Sequence, residues 1–305
     1  MGGVRLHLHA TGKAGPTVVF DAALGASSVS WTFVQREVIA FARACTYDRA
    51  GFGWSEGGAF PRTAGRIADE LRLLLEKAGE RPPFVLVGHS YGGLVMRIFA
   101  HRYRHDTAAL VLVDPAQPED WVTPAPKEQV LIDKGVQLCR QGAFLAKYGV
   151  ARVIAALVGL GVMRPARLLT RMVTRGRFAR ADENVLAPMW KLPPEVRRPL
   201  RRFWSQKKFF DALGSQIEMM PVSAAETLEA GSDGYGDLPL VTISASNPGD
   251  YRLRQQEALA RLSTRGRHVL AHNSGHWIPL DDPATVVAVI AELCIELDVP
   301  RARTN

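Results

Sequence analysis

A serine lies between two glycines in the segment Gly88-His89-Ser90-Tyr91-Gly92. Residues 84–87 before it form an apolar run typical of a strand buried on both faces, and residues 94–100 after it have a helical pattern. On such a sharp strand-to-helix turn, a serine is held in a strained conformation that exposes its hydroxyl group. The pattern predicts that Ser90 is a nucleophile and that the Tyr91 N–H, at a helix N-terminus, stabilises an oxyanion. The alternative is an ordinary glycine-rich turn.

A nucleophilic serine needs a base within hydrogen-bond reach. His276 follows a predicted strand at residues 268–270, in a loop of small residues that can bend back over the sheet. His272 is the local competitor, and His89 would point away from Ser90 on the strained turn. We therefore expect His276 to be the base, and the alternative is a loop histidine without a role.

The elements that must position these residues alternate between strand and helix. Predicted strands lie at residues 4–9, 17–20, 44–47, 84–87, 109–113, 240–244 and 268–270, and predicted helices at 31–42, 67–78, 94–100, 253–262 and 282–297. This alternation implies a mostly parallel sheet with helices on both faces, which is an α/β fold. Residues 118–235 are mostly helical, so we expect a core of residues 1–117 and 236–305 with an inserted helical cap at 118–235.

Composition limits the class of protein. The 305 residues are 47% hydrophobic, which is ample for a packed core, and the three cysteines lack the spacing of a zinc site or a disulfide framework. The N-terminus lacks the apolar core of a signal peptide, and no apolar run reaches the roughly 18 residues of a membrane span. We expect a cytoplasmic protein with no metal, no organic cofactor and no nucleic-acid partner.

The net charge of +8 is unevenly distributed. Lysines and arginines are concentrated between residues 151 and 210, where the acidic residues are Asp182, Glu183 and Glu195. A solvated face of the cap helices is the favoured interpretation. Weak contact of the basic cap with an anionic membrane surface is the alternative. The sequence leaves the oligomeric state open.

Three motifs together resemble the α/β-hydrolase superfamily, in particular its serine esterases and lipases. They are the serine turn at 88–92, the Y-D-R-x-G-x-G-x-S segment at 47–55, and the Ser-Gly-His-Trp segment at 274–277. The resemblance covers nearly the whole chain and implies the α/β-hydrolase fold. Where similar proteins have His-Gly after an early strand, this sequence has Ala22-Ala23, and alignment from Trp31 implies that Leu24 supplies the second oxyanion N–H.

The same resemblance offers two positions for the carboxylate that orients His276. Asp114 ends the strand that is expected beside the nucleophile strand, where the geometry is stiff. Asp250 lies about two residues beyond the more common position in similar proteins, after the strand at 240–244. Asp114 is favoured and Asp250 is the runner-up. Asp114 could instead cap a turn, since Asp-Pro is a common turn pair.

The resemblance implies a serine hydrolase (a carboxylesterase, EC 3.1.1) that cleaves small or medium apolar esters through a Ser-His-Asp triad and an acyl-enzyme. A peptidase, a thioesterase, a carbon–carbon bond hydrolase and a cofactor-free haloperoxidase are alternatives, as is a non-catalytic ligand-binding protein on the same fold. Haloalkane dehalogenases and epoxide hydrolases resemble this fold but place Asp where Ser90 stands, so both are disfavoured.

Large apolar side chains of the cap are candidates for the substrate pocket. They are Trp190, Phe203, Trp204, Phe209, Phe210, Met219 and Met220, and residues 144–162 could add an apolar lid. At helical spacing, the same side chains could instead hold the cap to the core.

Overall fold

The computed structural model describes residues 3–12, 15–159, 191–246 and 249–298, and its centre is a seven-stranded sheet in the order β1-β3-β2-β4-β5-β6-β7. β1 runs antiparallel to β3, and the other neighbouring strands are parallel. The predicted fold class, a mostly parallel sheet flanked by helices, is confirmed. The strands are β1 (Leu8–Thr11), β2 (Thr17–Asp21), β3 (Arg43–Tyr47), β4 (Phe84–His89), β5 (Thr107–Val113), β6 (Leu240–Ala245) and β7 (Gly266–Ala271).

Helices cover both faces of this sheet and fill the connection between β5 and β6. They are α1 (Thr32–Val38), α2 (Ala64–Lys77), α3 (Tyr91–Arg102), α4 (Glu119–Val122), α5 (Pro126–Lys147), α6 (Val150–Gly159), α7 (Pro194–Phe203), α8 (Lys207–Glu218), α9 (Met220–Gly231), α10 (Asp250–Ala260), α11 (Ile278–Asp281) and α12 (Pro283–Asp298). No helix in the described ranges is long and apolar enough to cross a membrane.

The central strands are apolar without interruption because both of their faces are buried. Side chains of a strand alternate between the two faces of a sheet. Val19 and Leu86 therefore join a core with α2 and α3, whereas Val18 and Val85 join a second core with α1 and α12. These two cores explain why alternation of polar and apolar residues is absent from β2 and β4.

Several predicted boundaries differ from the structure, and two of them are wrong by four residues. The strand expected at residues 4–9 begins only at Leu8, because the residues before it bond to a neighbouring loop: the Glu56 N–H donates to the Arg5 carbonyl, and the Asp48 N–H to that of His7. The helix expected at residues 31–42 ends at Val38 and closes with turns that carry the chain into β3.

The connection between β5 and β6 contains the segment expected to form a cap. Within its described part, α5 packs against α8, and α6 packs against α5 and α7. α9 packs instead against α2 and α3, so it extends the helical layer on that face of the sheet. The division at residues 118 and 235 stays a prediction.

The loop after β3 is built around a buried carboxylate. The Asp48 side chain accepts hydrogen bonds from the N–H groups of Ser28 (2.8 Å) and Trp54 (3.0 Å), and His7 Nδ1 lies 3.2 Å from it. Burial by itself raises the pKa of Asp48, but these partners outweigh burial and lower the pKa below its usual 3.8. The ionised Asp48 thus joins three separate loops near the carboxyl end of the sheet.

The lowered pKa of Asp48 makes its contribution to stability depend on pH. Because the pKa is lower in the folded protein, this contribution is present above pH 3.8 and is lost as the pH falls through the lowered value. We expect Asp48→Asn to lower the free energy of unfolding by about 2 kcal/mol at pH 7. Urea unfolding should show the gap between the two proteins closing below pH 3.8. A gap independent of pH would contradict this role.

Candidate active site

Ser90 occupies the sharp turn between β4 and α3, with a positive φ of 55° and ψ of −117°. Such backbone angles are costly for a residue other than glycine and persist only where the surroundings enforce them. Here the Ser90 N–H donates to the Val113 carbonyl (3.0 Å), and the Ser90 carbonyl accepts from the Ala116 N–H (3.1 Å). The turn is thereby fixed to the end of β5, on either side of Asp114.

Glycine is required at two positions of this turn because the backbone approaches itself. A Cβ atom on Gly88 would lie 2.5 Å from the Gly92 carbonyl oxygen, and one on Gly92 would lie 2.5 Å from the Asp21 carbonyl oxygen. A side chain at Gly88 would thus collide with the start of α3, and one at Gly92 with the end of β2.

His276 and Asp114 form a direct pair at this edge of the sheet. His276 Nδ1 lies 2.6 Å from Asp114 Oδ2, and the exposed fractions of the two side chains are 39% and 5%. Asp114 itself has a positive φ of 37°, and its N–H donates to the Ile243 carbonyl of β6 (2.7 Å). Since Nδ1 is engaged by the carboxylate, Nε2 is the ring nitrogen left for a reacting group.

The other predicted candidates take different places. Asp250 is exposed at the first residue of α10, and it is Asp114 that pairs with His276. His272 is exposed in the loop after β7. Trp190 and residues 160–162 of the expected lid lie outside the described residues.

The loop after β2 brings Leu24 to the serine turn. It crosses the turn at Gly92, which closely approaches the carbonyl oxygens of Asp21 and Ala22. Leu24 follows in a tight turn closed by the Ala26 N–H and the Ala23 carbonyl (3.1 Å). Tyr91 begins α3, so its N–H is one of the first donors of that helix, which have no partner within the helix.

An apolar cavity of about 540 Å³ lies between this loop and helices α5, α7 and α8. One wall is formed by residues 24–27, 29 and 30, and another by Trp277, which follows His276. The cap contributes residues from three helices, among them Leu138 of α5, Leu200 of α7 and Leu213 of α8. The size and the apolar lining are typical of a small-molecule site.

The cap side chains expected to line a pocket divide between two roles. Trp204, Phe209 and Phe210 line the cavity. Phe203 packs instead on Trp54, with ring centroids 4.5 Å apart, and Met220 belongs to the core around α3. Both interpretations of this set are therefore correct for some of its members.

The cysteines are poor competitors as nucleophiles. All three are buried and free, and burial raises the pKa of Cys45 to about 12 and that of Cys139 and Cys294 to about 11. Their thiols stay protonated at neutral pH. Among the described residues, no group of three or more His, Cys, Asp or Glu side chains is arranged to hold a metal ion.

A known protein family matches most of the chain. The alpha/beta hydrolase family matches residues 18–289, which includes every candidate site residue. The chain belongs to this family. The resemblance expected from the sequence motifs is thereby confirmed.

Similar proteins in this family support the fold but leave the substrate open. An uncharacterized protein, YqjL of Bacillus subtilis, is 39% identical over 108 residues, which are 35% of this chain and 43% of YqjL. The match thus spans less than half the length of this curated relative.

Among solved structures, a thermophilic esterase from Thermogutta terrifontis has a TM-score of 0.66 at 20% identity, with 96% of this chain and 94% of that chain covered. The epoxide hydrolase CorEH has a TM-score of 0.67 at 18% identity, with 97% and 96% covered. Likeness at this level of identity shows the fold of the family.

Arg49 is a positioning residue that the sequence did not reveal as such. Its buried guanidinium donates to Asp21 Oδ1 (2.9 Å) and to the carbonyl oxygens of Ala22 and Ala23, and it lies 4.9 Å from the centre of the Tyr91 ring. It therefore links the loop that carries Leu24 to the start of α3. The Y-D-R motif was the available signal, although it identified the family rather than this contact.

His89 is a second positioning residue. The sequence predicted only that its side chain points away from Ser90. Nε2 of the fully buried ring lies 2.7 Å from the His276 carbonyl oxygen, and the two imidazole centroids are 4.9 Å apart. Burial lowers the pKa of His89 to about 3, so the ring is neutral. Because a carbonyl only accepts, Nε2 carries the proton and donates it. His89 thus anchors the histidine loop to β4.

Loss of this anchor should impair turnover more than substrate binding. We expect His89→Leu to lower kcat for a nitrophenyl ester by about 10- to 100-fold with little change in KM, because His276 would be displaced. His89→Gln, whose amide N–H can reach the same carbonyl, should retain most of the activity. Equal losses in both variants would show that the hydrogen bond is not what matters.

Proposed function

We propose that this protein is a serine hydrolase that cleaves carboxylic esters with an apolar acyl group. The observation that carries the proposal is the pair of His276 and Asp114 beside the strained serine turn, next to an apolar cavity. Ser90 is half-buried at the carboxyl edge of the sheet, and its backbone is bonded to the residues that flank Asp114. In this family of folds a ligand enters at that edge.

In the proposed first step, Ser90 Oγ attacks the ester carbonyl while His276 Nε2 takes the hydroxyl proton. Asp114 holds Nδ1 of the ring and stabilises the imidazolium that forms. The negative charge on the carbonyl oxygen is stabilised by the N–H groups of Leu24 and Tyr91. His276 then donates its proton to the leaving alcohol, which departs and leaves an acyl-serine.

In the proposed second step, water replaces the alcohol. His276 takes a proton from the water, which attacks the acyl-serine carbonyl, and the same two N–H groups hold the oxyanion. The tetrahedral intermediate then collapses, His276 returns the proton to Ser90 Oγ, and the carboxylic acid is released. The acyl chain would lie in the cavity between Leu24 and Trp277, where an apolar lining favours a hydrocarbon chain over a charged group.

An ester is favoured over an epoxide because of the nucleophile. Epoxide hydrolases resemble this fold but carry Asp at the position of Ser90. A thioester or an amide would need the same residues here. A screen of esters, thioesters and amides therefore forms part of the test.

Labelling of Ser90 and a chain-length series test this proposal together. A fluorophosphonate should label the protein, and Ser90→Ala should abolish labelling. Leu213→Trp, which fills part of the cavity, should lower kcat/KM for long-chain nitrophenyl esters by about tenfold or more and leave acetate hydrolysis nearly unchanged. Ile295→Trp, at an exposed position of α12, is the matched control. No labelling of the folded protein would favour a non-catalytic binding protein.

The two carboxylate candidates can be separated by paired substitutions. Asp114→Asn should lower kcat by about 10³- to 10⁴-fold, because the ring of His276 would lose the group that fixes its tautomer and stabilises its charge. Asp250→Asn should stay within about twofold of the wild-type rate, since a surface substitution away from the site has small effects. Steady-state kinetics with one nitrophenyl ester measures both. The reverse order of losses would transfer the role to Asp250.

A further inference from the structure

Helix α5 presents a continuous exposed stripe that alternates between leucine and polar or cationic side chains. Its members are spaced alternately four and three residues apart, so they lie along one side of the helix. We call it the α5 stripe: Lys127, Leu131, Lys134, Leu138, Gln141 and Leu145. All six are exposed, with 62% of Leu131 and 65% of Leu138 accessible.

The stripe contains no acidic residue. The two carboxylates of α5, Glu128 and Asp133, lie about a quarter to a third of a turn to either side of it. Lys127 and Lys134 form no ion pair with any residue in the part of the chain that the structure describes. Apolar surface and uncompensated positive charge are therefore combined on one side of α5.

The end of α5 carries exposed aromatic side chains beside the stripe. Phe144 and Tyr148 are both more than half exposed, and their ring centroids are 5.0 Å apart. Lys147 Nζ lies 5.6 Å from the centre of the Tyr148 ring. Exposed aromatic rings beside lysines are typical of helices that lie in the interface between lipid headgroups and acyl chains.

The apolar cavity reaches the surface at the same stripe. Leu138 is a member of the α5 stripe and also lines the cavity, although two thirds of its side chain is accessible. A chain leaving the cavity past Leu138 would therefore pass Leu131 and Leu145, one helical repeat of seven residues away on either side. This continuity joins the stripe to the cavity walls at Leu24 and Trp277.

We propose that the α5 stripe docks on a lipid bilayer that carries anionic headgroups. The leucines would enter the outer part of the acyl region, while the lysines extend to the phosphate groups at the surface. The exposed arginines of the nearby helix α7, Arg198 and Arg202, add positive charge to the cap. An anionic bilayer matches both features of the stripe, because its acyl region accepts the leucines and its charged headgroups attract the lysines.

A second copy of the chain fits this stripe less well. If two such helices paired through their leucines, the intervening lysines would face the partner's lysines or leucines, where a buried ammonium group has no counter-charge. A bilayer avoids this cost, because an extended lysine side chain reaches the phosphate groups at the membrane surface while the neighbouring leucines are buried.

Docking itself is independent of catalysis, but its consequence for the substrate rests on the proposed function. With the cavity opening at the docked surface, the preferred esters would be amphiphiles that partition into the bilayer. A single acyl chain could then enter past Leu138 without crossing water.

Co-sedimentation of the full chain with vesicles tests the docking. Vesicles of phosphatidylcholine alone are compared with vesicles that also contain phosphatidylglycerol, at low and high salt. The wild-type protein should bind the anionic vesicles several-fold more strongly, and salt should weaken this binding. The variant Leu131→Gln/Leu145→Gln should bind at least about tenfold more weakly, and so should Lys127→Glu/Lys134→Glu. Neither pair lines the cavity.

Two matched variants control for surface and charge. Val222→Gln/Ile295→Gln removes exposed apolar side chains from α9 and α12, and Lys77→Glu/Arg81→Glu changes the net charge equally at the end of α2. Both should bind vesicles within about twofold of wild type. Ser90→Ala should bind as wild type does, so loss of hydrolysis and loss of docking are distinguishable. All stripe variants should hydrolyse a soluble acetate ester at the wild-type rate.

Three outcomes would overturn the proposal. The first is wild-type protein that binds anionic vesicles no better than phosphatidylcholine. The second is equal weakening by the control pairs and the stripe pairs. The third is a wild-type dimer, measured by light scattering, that Leu131→Gln/Leu145→Gln converts to a monomer, since a second copy would then cover the stripe.

Discussion

The turn from β4 into α3 leaves no room for a side chain at Gly88, which lies against the backbone of Gly92, or at Gly92, which lies against the backbone of β2 at Asp21. This close approach fixes three features at once. Ser90 is held at a positive φ, the loop that carries Leu24 lies against the turn, and the start of α3 faces the same space. A larger residue at either glycine would separate the strand, the loop and the helix. The remaining parts of the site are arranged around this contact.

Buried polar residues then connect the turn to its neighbours. Arg49 holds the carbonyl oxygens of the β2 loop, and Asp48 fixes the next segment of that loop through the Ser28 N–H. His89 ties β4 to the loop of His276, and Asp114 holds the ring of His276. Each contact is made inside the protein, where an unpaired polar group is costly. The candidate site is therefore held by buried hydrogen bonds on the core side, whereas the cavity wall on the other side is formed by helices α5, α7 and α8.

The helices that cover the cavity have an inner and an outer side, and each side faces different surroundings. Its inner side contributes leucines and aromatic rings to the cavity, and its outer side exposes the α5 stripe. Leu138 belongs to both, so the apolar surface is continuous from inside to outside. An exposed apolar surface of this kind is unfavourable in water unless a partner covers it. The lysines that interrupt it match the anionic surface proposed as its partner.

The sequence by itself determined the α/β fold, the position of Ser90 on a strand-to-helix turn, and His276 as the histidine of a late loop, because apolar runs and glycine spacing are local signals. It left Asp114 and Asp250 open, since Asp114 lies 162 residues from His276 and only the order of the strands decides whether the two meet. Only the tertiary structure paired Asp114 with His276 and revealed Arg49 and His89 as supports. It also decided which cap side chains line the cavity, because helical spacing shows a shared face but not what that face contacts.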